Sequence, residues 1–268
     1  MNESLDETRP IGARRLTQRL SRRLFWLPTL FTVGNLFCGY LSVWRSIQGA
    51  FEAAAILIIA AAVLDALDGR VARWTHSTSE FGEEYDSLAD LVSFGVAPAV
   101  LAYSWGLSDF PRPGWVASFL FVVCGSMRLA RFNIQTKIVD KRYFVGLPIP
   151  AAAGTIASLV LATPERLVDR FWMGGLLVLT IILSYLMIST IRYRSFKDHL
   201  DFKRPLPLWV LPLIALVLAV IRLWPAIFLL AVALTFAASG PAAKMIAFFR
   251  RKRKPPELPP SPPISDLT

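Results

Sequence analysis

The sequence predicts an all-α protein: a polytopic membrane helix bundle of about eight transmembrane helices, preceded by an amphipathic helix at the N-terminus. Three observations predict it. Hydrophobic residues make up 54% of the 268 positions and charged residues only 18%, whereas a soluble domain carries about 25% charged residues. The apolar residues gather into eight runs separated by short polar connections. Lys and Arg are shared very unequally between alternate connections, which is the mark of a chain oriented in a membrane.

The elements follow in order. Residues 11–26, IGARRLTQRLSRRLFW, place Ile11, Leu16, Leu20 and Leu24 near one helical face and arginines elsewhere. Such a helix lies on anionic headgroups at the membrane surface. The apolar runs cover about 27–44, 51–72, 87–105, 114–129, 148–162, 172–191, 207–221 and 226–248. A span needs about 20 residues, so the fifth and seventh runs are short and call for tilt, a proline kink or extension at their ends. Residues 1–26 are expected to be a cytoplasmic segment, 27–249 one membrane domain, and 250–268 a basic, Pro-rich, disordered cytoplasmic tail. The acidic stretch described below occurs once, so no inverted duplication of the transporter kind is expected.

With eight spans and the N-terminus inside, 24 of the 29 Lys and Arg residues fall in cytoplasmic segments. Both termini are therefore expected in the cytoplasm. The net charge of +10 is read as topology plus attraction to anionic lipids, and no nucleic-acid partner is expected. The two cysteines, Cys38 and Cys124, sit in apolar runs and read as small packing residues. The first 23 residues are too long and Arg-rich for a cleaved leader, and none is expected.

The chemistry concentrates in residues 65–90, DALDGRVARWTHSTSEFGEEYDSLAD. Asp65 and Asp68 are spaced i,i+3 at the end of the second run; Asp86 and Asp90 are spaced i,i+4 at the start of the third. Each pair thus shares a helical face. Carboxylates in membrane helices are costly, and four at one depth mark a functional site. Two opposed faces would form an all-oxygen pocket suited to Mg²⁺ or Mn²⁺ rather than zinc. The orientation puts this pocket on the cytoplasmic side. Two other readings compete: ion pairing with Arg70 and Arg73 that packs the helices, and a cation-permeation site. The first leaves acids in excess; the second predicts acids spread across membrane depth.

Written as spacing, the stretch is Asp65-x2-Asp68-Gly69-x2-Ala72-Arg73-x8-Gly82-x3-Asp86-x3-Asp90. It resembles the signature of the CDP-alcohol phosphatidyltransferases at every specified position. The resemblance implies two divalent metal ions, Mg²⁺ or Mn²⁺, held by Asp65, Asp68 and Asp86 with help from Asp90, which also acts as general base. It implies that Gly69, Arg73 and Ser79 contact the CDP moiety; Thr75, Ser77 and Thr78 are alternatives to Ser79. Gly69 and Gly82 leave room for a phosphate or nucleotide to approach the backbone. Arg73 can fork two donors onto phosphate oxygens.

Three further stretches narrow the resemblance. Thr32-x2-Asn35-Leu36-x2-Gly39, RLARFN at 128–133, and Phe144-x-Gly146-Leu147-Pro148-x-Pro150 are similar to segments of the bacterial membrane-integral phosphatidylserine synthases. This subgroup implies a six-helix core with two C-terminal helices, a homodimer, CDP-diacylglycerol as donor, L-serine as acceptor and CMP as product. Arg128 and Arg131 are i,i+3 and share a face level with the aspartates. Either can hold the acceptor's carboxylate or the donor's phosphates, or simply anchor a cytoplasmic end. Asn133 lies beside them. Asn35 either faces the site or hydrogen-bonds a neighbouring helix. Gly146, Pro148 and Pro150 are expected to break a helix and shape the pocket wall. An acceptor such as glycerol 3-phosphate or inositol phosphate is the alternative, and Lys137, Lys141 and Arg142 would serve it. No Ser, Cys or His stands in a nucleophile position, so direct displacement is expected.

Overall fold

The computed structural model describes residues 11–75, 80–136, 143–194 and 225–252, with side chains for 29–71, 81–134, 146–191 and 225–242. Helix α1 runs Ile11–Ile47 and α2 Phe51–Thr75. Next comes one long rod: α3 (Glu80–Asp90), a π-helical segment (Leu91–Val96), α4 (Ala97–Ala102) and a second π-helical segment (Tyr103–Leu107). Helix α5 (Pro111–Thr136), strand β1 (Tyr143–Val145), α6 (Ile149–Ala162), α7 (Arg170–Ile188), strand β2 (Arg192–Arg194) and α8 (Pro225–Lys252) complete the described chain.

Four helical segments are long and apolar enough to cross a membrane: Phe81–Leu107, Pro111–Ile134, Arg170–Ile188 and Pro225–Ala242. The chain is an integral membrane protein. Its described residues form seven helical rods rather than eight; the run expected at 207–221 lies outside them. The surface helix expected over 11–26 is continuous with the first apolar run in α1, with no break between them. Helical throughout otherwise, the bundle carries one feature the sequence did not suggest. β1 and β2 pair antiparallel, Phe144 opposite Tyr193.

The long rod and α6 form the centre. Ala97, Leu101, Ala102 and Trp105 from the rod pack with Ala152, Ala153, Ile156 and Val160 of α6, all essentially inaccessible. Small residues let these backbones approach closely, which is how membrane helices gain van der Waals contact. Helix α6 has 14 residues, about 21 Å of rise against a hydrocarbon core of about 30 Å. It is short because its role is internal: α2, α8 and the rod surround it. The outward faces of α1, α5 and α7 carry exposed Phe37, Phe119 and Ile181, as lipid-facing surfaces do.

Gly146 breaks the chain before α6, as expected. Its φ is +85°, its N–H donates to the Ile191 carbonyl at 2.9 Å, and Leu147 N–H donates to the Leu186 carbonyl at 3.0 Å. These bonds tie the entry of α6 beneath the end of α7. An added Cβ would meet the Met187 carbonyl and come within 3.1 Å of the Ser189 carbonyl. Gly146→Ala is therefore expected to cost about 1–3 kcal/mol, since positive φ and a backbone clash act together. Thermal unfolding in detergent checks this; an unchanged midpoint would refute the close-approach account.

Candidate active site

Helix α2 delivers Asp65 and Asp68 one turn apart, and α3 delivers Asp86 and Asp90 one turn apart. The carboxylates of Asp65, Asp86 and Asp90 converge: one oxygen from each lies within 4.8 Å of the other two. All three side chains are half-buried. The fourth, Asp68, is buried at 7% exposure and turned to α1, where its Oδ2 accepts a hydrogen bond from the Thr32 hydroxyl. Asp90 is also held from α1: Asn35 Nδ2 donates to its Oδ1 at 3.0 Å. Asp86 Oδ1 is buried with no hydrogen-bond partner among the described residues.

This arrangement is electrostatically incomplete without a cation. Like charges near 5 Å repel by about 3 kcal/mol per pair at an effective dielectric of about 20. Among the described residues no Lys or Arg makes an ion pair with any of the four acids; the single ion pair, Arg166–Asp109, belongs to loops elsewhere. Arg128 on α5 is the one described cation within electrostatic reach of Asp90. An unpartnered carboxylate oxygen and a donor set made entirely of hard oxygens fit Mg²⁺ or Mn²⁺. Three of the acids thus form a group that can hold a divalent metal, and Asp68 stands beside them.

The π-helical turn Leu91–Val96 begins immediately after Asp90. π turns often occur at functional sites. Here Ser93, Phe94 and Gly95 are all buried, because this turn is enclosed by α1, α5 and α6. Ser93 Oγ donates to the Asn35 carbonyl at 2.9 Å, locking α1 against the rod one turn below Asp90.

The other expected site residues fall into three groups. Gly69 and Gly82 flank the cluster on α2 and α3 and are half-buried. Arg73 lies on α2 just beyond Gly69, with its side chain outside the described residues, and Ser79 lies outside them altogether. Arg128, Arg131 and Asn133 are separated by their contacts despite their spacing. Arg128 is half-buried with its guanidinium 5.5 Å from the Phe132 ring centroid. Arg131 Nη1 points to the Ile188 carbonyl at 3.4 Å, fastening α5 to the end of α7. Asn133 Nδ2 donates to Ser87 Oγ at 2.9 Å, holding α5 against α3 beside Asp86.

Sequence reasoning assigned no role to Thr32, which it quoted only within a motif, or to Ser87 and Ser93. Thr32 carried a signal, as a hydroxyl three residues before Asn35 in an apolar run. Ser87 and Ser93 carried none, since a lone serine in a membrane helix usually bonds its own backbone. Cys38 and Cys124 are free thiols, half-buried and buried, as expected of packing residues.

Comparison with known proteins gives the same reading. The profile of the CDP-alcohol phosphatidyltransferase family matches residues 25–191. A CDP-diacylglycerol–serine O-phosphatidyltransferase of Helicobacter pylori is 43% identical over 203 residues, covering 74% of this chain and 83% of that protein. The Bacillus subtilis protein of the same name is 36% identical, covering 65% of this chain and 93% of its own length. An archaetidylserine synthase of Methanothermobacter thermautotrophicus is 44% identical over 170 residues, covering 62% of this chain and 69% of that protein. The matched region contains α2, α3 and every described residue of the carboxylate cluster, and the chain belongs to the CDP-alcohol phosphatidyltransferase family.

Proposed function

We propose that this protein is a CDP-diacylglycerol–serine O-phosphatidyltransferase. The convergence of Asp65, Asp86 and Asp90 carries the reading, and the names of its relatives support it. Asp65, Asp68 and Asp86, with Asp90, would hold two divalent ions, Mg²⁺ or Mn²⁺. Bound there, such ions neutralise the donor's diphosphate and acidify a nearby hydroxyl. The rest of the work belongs to the chain. Gly69 and Gly82 admit the nucleotide and phosphates close to the backbone. Arg73 forks onto phosphate oxygens, and Ser79 contacts the CDP moiety. Arg128 holds the carboxylate of L-serine. Asp90 takes the proton of the serine hydroxyl as its oxygen bonds to the diacylglycerol-bearing phosphorus. The bond from that phosphorus to the CMP oxygen breaks, CMP leaves, and phosphatidylserine remains. Phosphoryl transfer asks mainly for positioning and charge neutralisation, which suits a site of fixed carboxylates without a covalent nucleophile.

The distribution of Lys and Arg supports a cytoplasmic site with both termini on that side. The segment 1–26 is then cytoplasmic, its arginines drawn to anionic headgroups, 27–249 is the catalytic domain and 250–268 a cytoplasmic tail. The protein acts as a homodimer. Carboxylates gathered from two helices at one place argue against a permeation path. The test is CMP release from CDP-diacylglycerol by purified protein in detergent with Mn²⁺ or Mg²⁺. Serine is expected to drive release, and chelation by EDTA to reduce it at least about 10³-fold. Release with glycerol 3-phosphate or inositol phosphate, and none with serine, would overturn the acceptor.

A further inference from the structure

Helix α1 contributes no carboxylate, yet two of the four aspartates are held by it. Thr32, Asn35 and Gly39 lie one turn apart on a single face, at i, i+3 and i+7. Thr32 donates to Asp68 of α2, and Asn35 donates to Asp90 of α3 at 3.0 Å. Gly39 lets the helices touch: a Cβ there would come within 2.7 Å of Ser93 Cα. That contact also allows the Ser93 hydroxyl to reach the Asn35 carbonyl.

The two ends of Asn35 differ. Its Nδ2 engages Asp90, whereas its Oδ1 is buried without a partner among the described residues, in a side chain of 0% exposure. An unmet buried acceptor costs about 1–3 kcal/mol. An amide chosen for helix packing alone would satisfy both ends; this one gives up stability to aim a carboxylate. Resting on the reading of the acids as metal ligands and base, we propose that the Thr32–Asn35–Gly39 face of α1 fixes the orientations of Asp68 and Asp90, making Thr32 and Asn35 positioning residues. One rigid helix thereby sets the spacing between carboxylates delivered by two others. Groups that orient metal ligands typically contribute 10–100-fold to affinity.

The experiment measures Mn²⁺ binding directly, by electron paramagnetic resonance on the purified full-length protein in detergent without substrate. Thr32→Val keeps the shape and loses the donor; Thr32→Ser keeps the donor. Thr32→Val and Asn35→Leu are expected to bind Mn²⁺ about tenfold or more weakly, with Thr32→Ser close to wild type. Wild-type affinity in Thr32→Val, with only a lowered melting temperature, would overturn the proposal and leave α1 a packing helix. If Asn35→Leu does not fold, the Thr32 pair decides alone. The readout is independent of turnover. Thr32-dependent Mn²⁺ binding in a protein that releases no CMP would sink the proposed activity and keep the positioning role; full activity with unchanged Mn²⁺ affinity in Thr32→Val would do the reverse.

Discussion

Asp90→Asn is expected to lower kcat by about 10³-fold, within the 10²–10⁴-fold range of general acid–base catalysis, while the protein folds normally. The substitution is isosteric. Its Oδ1 still accepts the hydrogen bond that Asn35 Nδ2 gives to Asp90, so the hold of α1 on α3 survives. What disappears is a proton acceptor and one negative charge. Mn²⁺ affinity, measured alongside turnover, separates the two losses. A fall in kcat well beyond the fall in metal binding assigns the proton to Asp90. A loss of turnover fully restored by raising Mn²⁺ would make Asp90 a ligand only. Retention of a tenth or more of wild-type kcat at saturating metal would remove it from the chemistry. Asp65→Asn is the matched comparison. Asp65 belongs to the same carboxylate group, and its loss is expected to be partly offset by added metal.

The four aspartates were legible in the sequence because helical spacing alone puts Asp65 with Asp68 and Asp86 with Asp90, and charge at membrane depth has few other uses. The division of labour among them was not. The resemblance groups Asp65, Asp68 and Asp86 as ligands with Asp90 as helper and base; in the structure Asp65, Asp86 and Asp90 converge and Asp68 turns to Thr32. That difference depends on the face of α1 that carries Thr32 and Asn35, both buried, and spacing along one helix does not say which carboxylate of another helix such a face meets. The π-helical turn after Asp90 was equally hidden, since no residue type demands one. It changes the facing of Ser93 and its neighbours, so the bond from Ser93 to Asn35 could not be foreseen from an α-helical period. The β1–β2 pair escaped notice because three residues are too few to show alternation. The fifth run was legible as short. Its shortness was read as tilt, a proline kink or extension at its ends, whereas α6 is a 14-residue helix enclosed by α2, α8 and the rod.

The arginines of α5 give the remaining large prediction. Spacing treats Arg128 and Arg131 as alternatives, whereas their contacts differ in kind. Arg131 is committed to the Ile188 carbonyl. Arg128 rests over Phe132 and lies within reach of Asp90, with no hydrogen-bond acceptor among the described residues. A guanidinium half-removed from water with unfilled donors awaits an anion that arrives with substrate. In the proposed reaction serine brings one, next to the hydroxyl whose proton Asp90 would take. Arg128→Lys keeps the charge and loses the planar fork. Hydrogen bonds to charged groups contribute about 1.5–3 kcal/mol, so the KM for serine is expected to rise about 10–100-fold with a smaller change in kcat. Arg131→Lys is expected to leave the serine KM within about twofold and to lower the melting temperature, because its contact joins two helices. Ethanolamine, which is serine without its carboxylate, supplies the cross-check. Wild-type protein is expected to discriminate strongly between the two acceptors, and Arg128→Lys to lose most of that discrimination by failing serine rather than by gaining ethanolamine. A raised KM for CDP-diacylglycerol with serine unaffected would move Arg128 to the donor's phosphates. The acceptor's carboxylate would then need a cation from the Lys- and Arg-rich segments between helices.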